Sequence, residues 1–123
     1  MERIFFVLGS IAALVAVALG AFGAHGLRTR LSAEMLNVFE IGVRYHLVHA
    51  LALLAVAWAS ARWPGGGVTA SGWLFCAGIL IFSGSLYLLS LTGQRWLGAV
   101  TPIGGVAFLL GWAALAWAVA TAR

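Results

Sequence analysis

His25 closes the first long apolar run of this chain, and Glu40, Arg44, His46 and His49 open the second. Neutral imidazole is a good metal ligand and titrates near physiological pH, so these histidines invite a reading as a metal, haem or proton site. His46 and His49 stand three positions apart, a helical spacing that lets both rings approach one point. A structural metal takes about four ligands. Beyond the histidines only Glu40 and Cys76 are on offer, and Cys76 falls toward the opposite end of the third apolar run. The plainer alternative is that the rings hydrogen-bond across helices to Ser83, Ser85, Tyr87 or backbone. Glu40 and Arg44 stand four positions apart with the acid first, the favourable order for an ion pair on a helix. One reading is an interfacial pair that fixes the depth of the helix. The other is a gate or an anionic-headgroup site, because the planar fork of arginine binds two phosphate oxygens at once.

Other chemistries fail on context. Gly20-Ala21-Phe22-Gly23-Ala24-His25-Gly26 is glycine-rich, but no strand precedes it and no Lys-Ser/Thr follows, so it is not a phosphate loop. There is no Asp, and Glu40 is the only acid beside the histidines. Neither a catalytic triad nor paired carboxylates can be assembled. The pI near 10.7 does not point to nucleic acid, because the arginines are scattered singly between apolar runs rather than gathered on a face. Scattered loop arginines are what membrane insertion produces.

The elements that must position these residues are apolar. The chain is 63% hydrophobic and 8% charged, with a mean hydropathy of +1.07, whereas a soluble domain is about 25% charged. The apolar runs are Ile4–Ala24 and roughly Gly42–Ala61, Val68–Leu91 and Ala99–Ala122. Each is long enough to cross a hydrocarbon core of about 30 Å as a helix. Without alternation, and with every backbone group to be satisfied in lipid, they read as helices rather than barrel strands. The first run is too long for the apolar core of a signal peptide and is read as an uncleaved span. Ser32 is placed to cap a helix that starts near Ala33, ahead of the membrane. Trp63-Pro64-Gly65-Gly66-Gly67 is a turn, and Pro102 lies near the start of the fourth run, where a helix tolerates it. Cys76 cannot form an internal disulfide and reads as a small packing residue.

Short linkers (His25–Ala33, Arg62–Gly67, Thr92–Gly98) make sequential helices antiparallel neighbours. One end then carries His25, Arg28, Arg30, Glu40, Arg44, His46, His49, Tyr87, Ser90, Gln94, Arg95 and Thr101. The other carries Trp58, Trp63, Trp73 and Trp117, with Trp112 deeper, as an aromatic belt. Counting arginines at the two ends leans toward a cytoplasmic polar end, with both termini outside. At about 100° per residue, Asn37, Glu40 and Arg44 share one face of the second helix, and Gly42, His46 and His49 the opposite one. One face packs into its own bundle, and the other meets water, headgroups or another copy. Ala12, Ala16, Gly20 and Ala24, and likewise Ala114, Ala118 and Ala122, form small-residue ladders of the kind that lets helices approach closely in lipid.

Taken together, Gly20-Ala21-Phe22-Gly23-Ala24-His25-Gly26-Leu27, Tyr45-His46-Leu47-Val48-His49-Ala50-Leu51-Ala52, Phe82-Ser83-Gly84-Ser85-Leu86-Tyr87 and Thr101-Pro102-Ile103-Gly104-Gly105 resemble the YgdD-like family. This is a domain-of-unknown-function family of small four-span inner-membrane proteins, with mitochondrial-type relatives in eukaryotes. The likeness covers essentially the whole chain. It implies a four-helix membrane protein with no assigned activity, and it supplies no catalytic residues.

The sequence therefore leads to an all-α, integral membrane four-helix up-down bundle of one domain, in the bacterial inner membrane. No cofactor or nucleic acid is expected. The leading expectation is a non-enzymatic protein that binds or conducts a proton, an ion, a lipid headgroup or a quinone-like amphiphile. Its candidate ligand or pathway residues are His25, Glu40, Arg44, His46, His49, Ser83, Ser85, Tyr87 and Thr101. The alternatives are an accessory subunit of a larger membrane complex, or a His-ligated metal or haem redox subunit. The partners expected are the lipid bilayer and either a homo-oligomer or a membrane complex.

Overall fold

The computed structural model describes residues 1–123 and contains helices and turns only. α1 spans Glu2–His25, where the uninterrupted apolar run ends and Gly26 begins the turn. α2 spans Ala33–Arg62. Its first turn is capped as expected, with the Ser32 hydroxyl accepting from the Met35 N–H at 3.1 Å. It stops before Trp63-Pro64, because the residue ahead of a proline is pushed out of helical geometry.

The third apolar run is one continuous helical rod in three parts. α3 (Gly66–Gly78) runs into a π-helical turn over Ile79–Ser83, which continues as α4 (Gly84–Thr92). Gly93, at φ 73°, ends the rod in the left-handed conformation that favours glycine. A 3₁₀ turn at Arg95–Ala99 leads into α5 (Thr101–Ala120), with Pro102 in its first turn. The four resulting rods are long and apolar enough to cross a membrane.

α1 lies along α2, α2 along the α3–α4 rod, and that rod along α5. The central rods are the buried ones; α1 and α5 flank them and keep most of their surface exposed. Leu14 and Leu109 are each 70% exposed, which suits a lipid-facing surface rather than an aqueous one. The main core joins Phe5, Leu53, Val56, Val68, Phe75, Ile79 and Phe108. A smaller cluster of Leu86, Leu89 and Leu97 closes the polar end.

The small-residue ladder on α1 is displaced from its expected course. Gly9, Ala16 and Gly23 are buried, Ala12 and Gly20 are half-buried, and Ala24 is exposed. Steps of four residues turn the ladder by about 40° each at 100° per residue, so by Ala24 it has left the contact face. Seven-residue steps drift by only about 20° and stay on it. On α5, Ala118 meets Gly67, whereas Ala122 lies beyond the helix end. Trp58, Trp73 and Trp117 are exposed as a belt requires, and Trp63 packs edge-on against Trp58. Trp96 stands exposed at the opposite end, a residue the belt reading did not place.

Candidate functional site

The polar residues separate into an exposed rim and an interior set. His25, Arg28, Arg30, Glu40, Arg44, Gln94 and Arg95 are exposed. On α2 the Asn37, Glu40 and Arg44 face is open, while Gly42, His46 and His49 are buried. The expected Glu40–Arg44 ion pair does not form. The only ion pair joins Arg95 to Glu34 at 3.5 Å, with both side chains mostly exposed. An exposed pair gains little Coulomb energy and costs side-chain freedom, so helical spacing alone does not hold one together.

His46 and His49 lie well inside the protein. His46 is 13 residues past the start of α2 and His49 is 13 residues before its end, about 20 Å from either tip. Their rings do not approach one point. Residues three apart on a helix differ by about 60° in direction, and here that difference sends the rings to different neighbours.

His46 turns toward α4, where its Nδ1 lies 2.9 Å from the Tyr87 hydroxyl. Gly42 makes room for this: a Cβ there would come within 2.9 Å of the Tyr87 ring. Phe39 packs on the other side of Tyr87, with ring centroids 5.0 Å apart. Next door, the Ser83 hydroxyl of the π-helical turn donates to the Gly42 carbonyl at 2.7 Å. The remaining ring nitrogen of His46 has no hydrogen-bond partner of good geometry.

His49 turns toward α5. Its Nδ1–H donates to the Tyr45 carbonyl at 2.7 Å, and its Nε2 accepts from the Trp112 indole N–H at 3.0 Å. An indole nitrogen only donates, so Nε2 must be unprotonated and Nδ1 must carry the hydrogen. Phe108 stacks flat on the ring, 3.6 Å between centroids and 9° between planes. No lone pair of His49 is left for a metal or a proton.

The other candidates divide further. Ser85 and Thr101 bond each other at 2.6 Å between α4 and α5, so neither serves a histidine. His25 stands exposed at the end of α1. No three of the His, Cys, Asp and Glu side chains come together where one ion could bind them. Of the partners expected across helices, Tyr87 meets His46; the backbone bond of His49 stays within α2, and Ser83 and Ser85 bond elsewhere.

His46 lines a groove of about 290 Å³ between α1, α2 and the α3–α4 rod. Ala12, Val15, Leu53, Cys76, Ile79 and Leu80 are among its walls, and His46 is its one polar side chain apart from the thiol. Cys76, placed by the sequence reading too far from the histidines to matter, lines this same groove. Ile79 marks the middle of its apolar run and Cys76 is less than one turn away. A second groove, of about 410 Å³, runs past Tyr45, Phe82, Phe108 and Trp112, and His49 shows it only a ring whose nitrogens are both engaged. The sequence also gave no sign of Trp112, Phe108 or Ala12 as neighbours of the histidines.

The chain matches the family described as protein of unknown function (DUF423) over residues 19–105. It is 53% identical over 111 residues to the UPF0382 membrane protein YwdK of Bacillus subtilis, covering 89% of this chain and 90% of that one. It is 49% identical over 110 residues to a UPF0382 membrane protein of Staphylococcus saprophyticus, covering 89% of this chain and 91% of the relative. No solved structure matches. The motif resemblance drawn from the sequence holds at the level of this family, and four membrane-crossing rods around a buried histidine pair are its architecture in this chain, which belongs to the DUF423 family of membrane proteins of unknown function.

Proposed function

We propose that this protein is a non-catalytic, multi-pass protein of the bacterial inner membrane that binds a small lipid-soluble molecule in the groove at His46. One observation carries the reading. The groove is walled by apolar side chains with the Cys76 thiol and His46 among them, and one nitrogen of that imidazole has no good hydrogen-bond partner. Ionisable residues inside a membrane are costly and usually mark a functional site. Small-molecule sites are mostly apolar cavities with a few placed polar groups. Ala12 of α1, His46 of α2 and Ile79 at the start of the π-helical turn all fall near the middle of their rods and line this one groove, so we place the groove at mid-membrane. Such a place is reached by a molecule dissolved in lipid, not by a hydrated ion. Binding is favoured over conduction because the other histidine is closed on both nitrogens and capped by Phe108.

The test is native mass spectrometry of the protein released from nanodiscs made with native membrane extract. The expected result is an adduct of fixed mass on the wild type, absent from Leu80→Trp. Leu80 is 76% exposed on the rim of the groove, so a larger side chain there fills the groove without entering the core. A bare protein mass in both preparations would sink the proposal.

A further inference from the structure

We infer that His46 is held with its hydrogen on Nε2, so that the groove presents one N–H donor and selects a lipid-soluble carbonyl compound of the quinone type. This rests on the groove being a binding site. The assignment of the hydrogen does not, because it follows from the partners of the ring.

The Tyr87 hydroxyl has one hydrogen to donate, and its only hydrogen-bond partner is His46 Nδ1 at 2.9 Å. If Nδ1 carried the ring hydrogen, the phenol would be the acceptor and its own hydrogen would have no partner in the protein. A half-buried donor left without a partner is unfavourable. If the phenol donates, Nδ1 is the acceptor, and the neutral ring must carry its hydrogen on Nε2. His49 has the reverse arrangement, with its hydrogen on Nδ1. Two histidines less than one turn apart are therefore locked in opposite tautomers by a phenol on one side and an indole on the other.

The consequence is chemical selectivity. A ligand whose single polar group is a donor meets another donor at Nε2 and leaves both unsatisfied. A ligand with a carbonyl completes the bond. Depth separates two sources of carbonyl. Phospholipid esters lie at the edges of a hydrocarbon core about 30 Å thick, roughly 15 Å from its middle. His46 shares its groove with Ala12 and Ile79, which stand near the middles of α1 and of the α3–α4 rod, out of their reach. The ligand is a freely diffusing carbonyl compound with an apolar ring or tail.

Nitrogen NMR of the histidine-labelled protein in nanodiscs tests both steps. The expected spectrum shows His46 protonated on Nε2 and His49 on Nδ1. Decylbenzoquinone, which only accepts hydrogen bonds, is expected to bind and to shift His46 Nε2 but not His49. Decylindole, which only donates, is expected to bind about tenfold more weakly, the loss of one hydrogen bond. Tyr87→Phe should release the ring to populate both tautomers and narrow that preference. A His46 spectrum with Nδ1 protonated overturns the inference, as does decylindole binding while decylbenzoquinone does not. A His46 signal that moves when ester lipids are exchanged for ether lipids assigns the carbonyl to phospholipid and overturns the free ligand. Failure of both probes, with His46 still protonated on Nε2, removes the binding reading and the ligand class with it while leaving the tautomer in place.

Discussion

The Trp112 indole donates a 3.0 Å hydrogen bond to His49 Nε2 across 63 residues of sequence. This one bond joins α5 to α2 at mid-height and sets the tautomer of a buried imidazole. It also uses the last free nitrogen of that ring, which leaves His46 as the only histidine in the interior able to meet a ligand.

Trp112→Phe should therefore act on structure and leave the groove intact. The substitution keeps an aromatic ring against Phe75, which Trp112 packs at 4.7 Å, and removes only the donor. His49 Nε2 is then an acceptor without a partner. A side-chain hydrogen bond between membrane helices is worth about 0.6–2 kcal/mol. Unfolding of the variant in mixed micelles should be easier by about that amount, with helix content unchanged and adduct formation at the groove retained. Wild-type stability in this variant would mean that the bond contributes nothing.

That bond also marks what the sequence could and could not show. The rods were legible because runs of about 20 apolar residues have one cheap structure in lipid, and the breaks at Ser32, Trp63-Pro64 and Gly93 carry their own conformational reasons. The two faces of α2 were legible because a fixed rotation per residue separates Glu40 and Arg44 from His46 and His49. The partners of those histidines were not. Whether His49 meets Trp112, Ser83 or Ser85 depends on how α5 and the α3–α4 rod slide and rotate against α2, and no local pattern encodes that. The π-helical turn at Ile79–Ser83 is the same kind of feature. It re-aims Phe82 and Ser83 by one inserted residue, and no residue type announces it. Cys76 shares the level of His46 because that histidine stands near mid-height of α2 rather than at its end, a depth that the apolar runs do not fix.

The π-helical turn fits because α5 offers no side chain where it bulges. A Cβ added at Gly104 would collide with the backbone of Phe82. Backbone cannot swing aside as a flexible side chain can, so Gly104→Val should force α5 away from the rod. Overpacking of this kind costs about 1–3 kcal/mol. Gly98→Val is the matched control, since nothing stands within 4 Å of a Cβ at that position. Thermal unfolding of both variants in detergent should place Gly104→Val well below the wild type and Gly98→Val close to it. Equal losses in the two would show that the helix–helix contact at Gly104 is not what sets the difference.

Glu40 and Arg44 have the sequence signature of a helical ion pair, yet they stand apart on the open face of α2. The two charges therefore act independently. Glu40→Gln, Arg44→Gln and the double substitution form a cycle whose coupling should be smaller than about 0.5 kcal/mol, the scatter found for non-interacting sites. Unfolding midpoints read in low salt give such a pair its best chance, because screening is then weakest. A larger favourable coupling that shrinks as salt is added would restore the ion pair and with it the role of depth anchor. Without coupling, Arg44 stays a free cation on a rim that also carries the exposed Arg28 and Arg30, and its effect should appear in how the protein inserts rather than in how stably it folds.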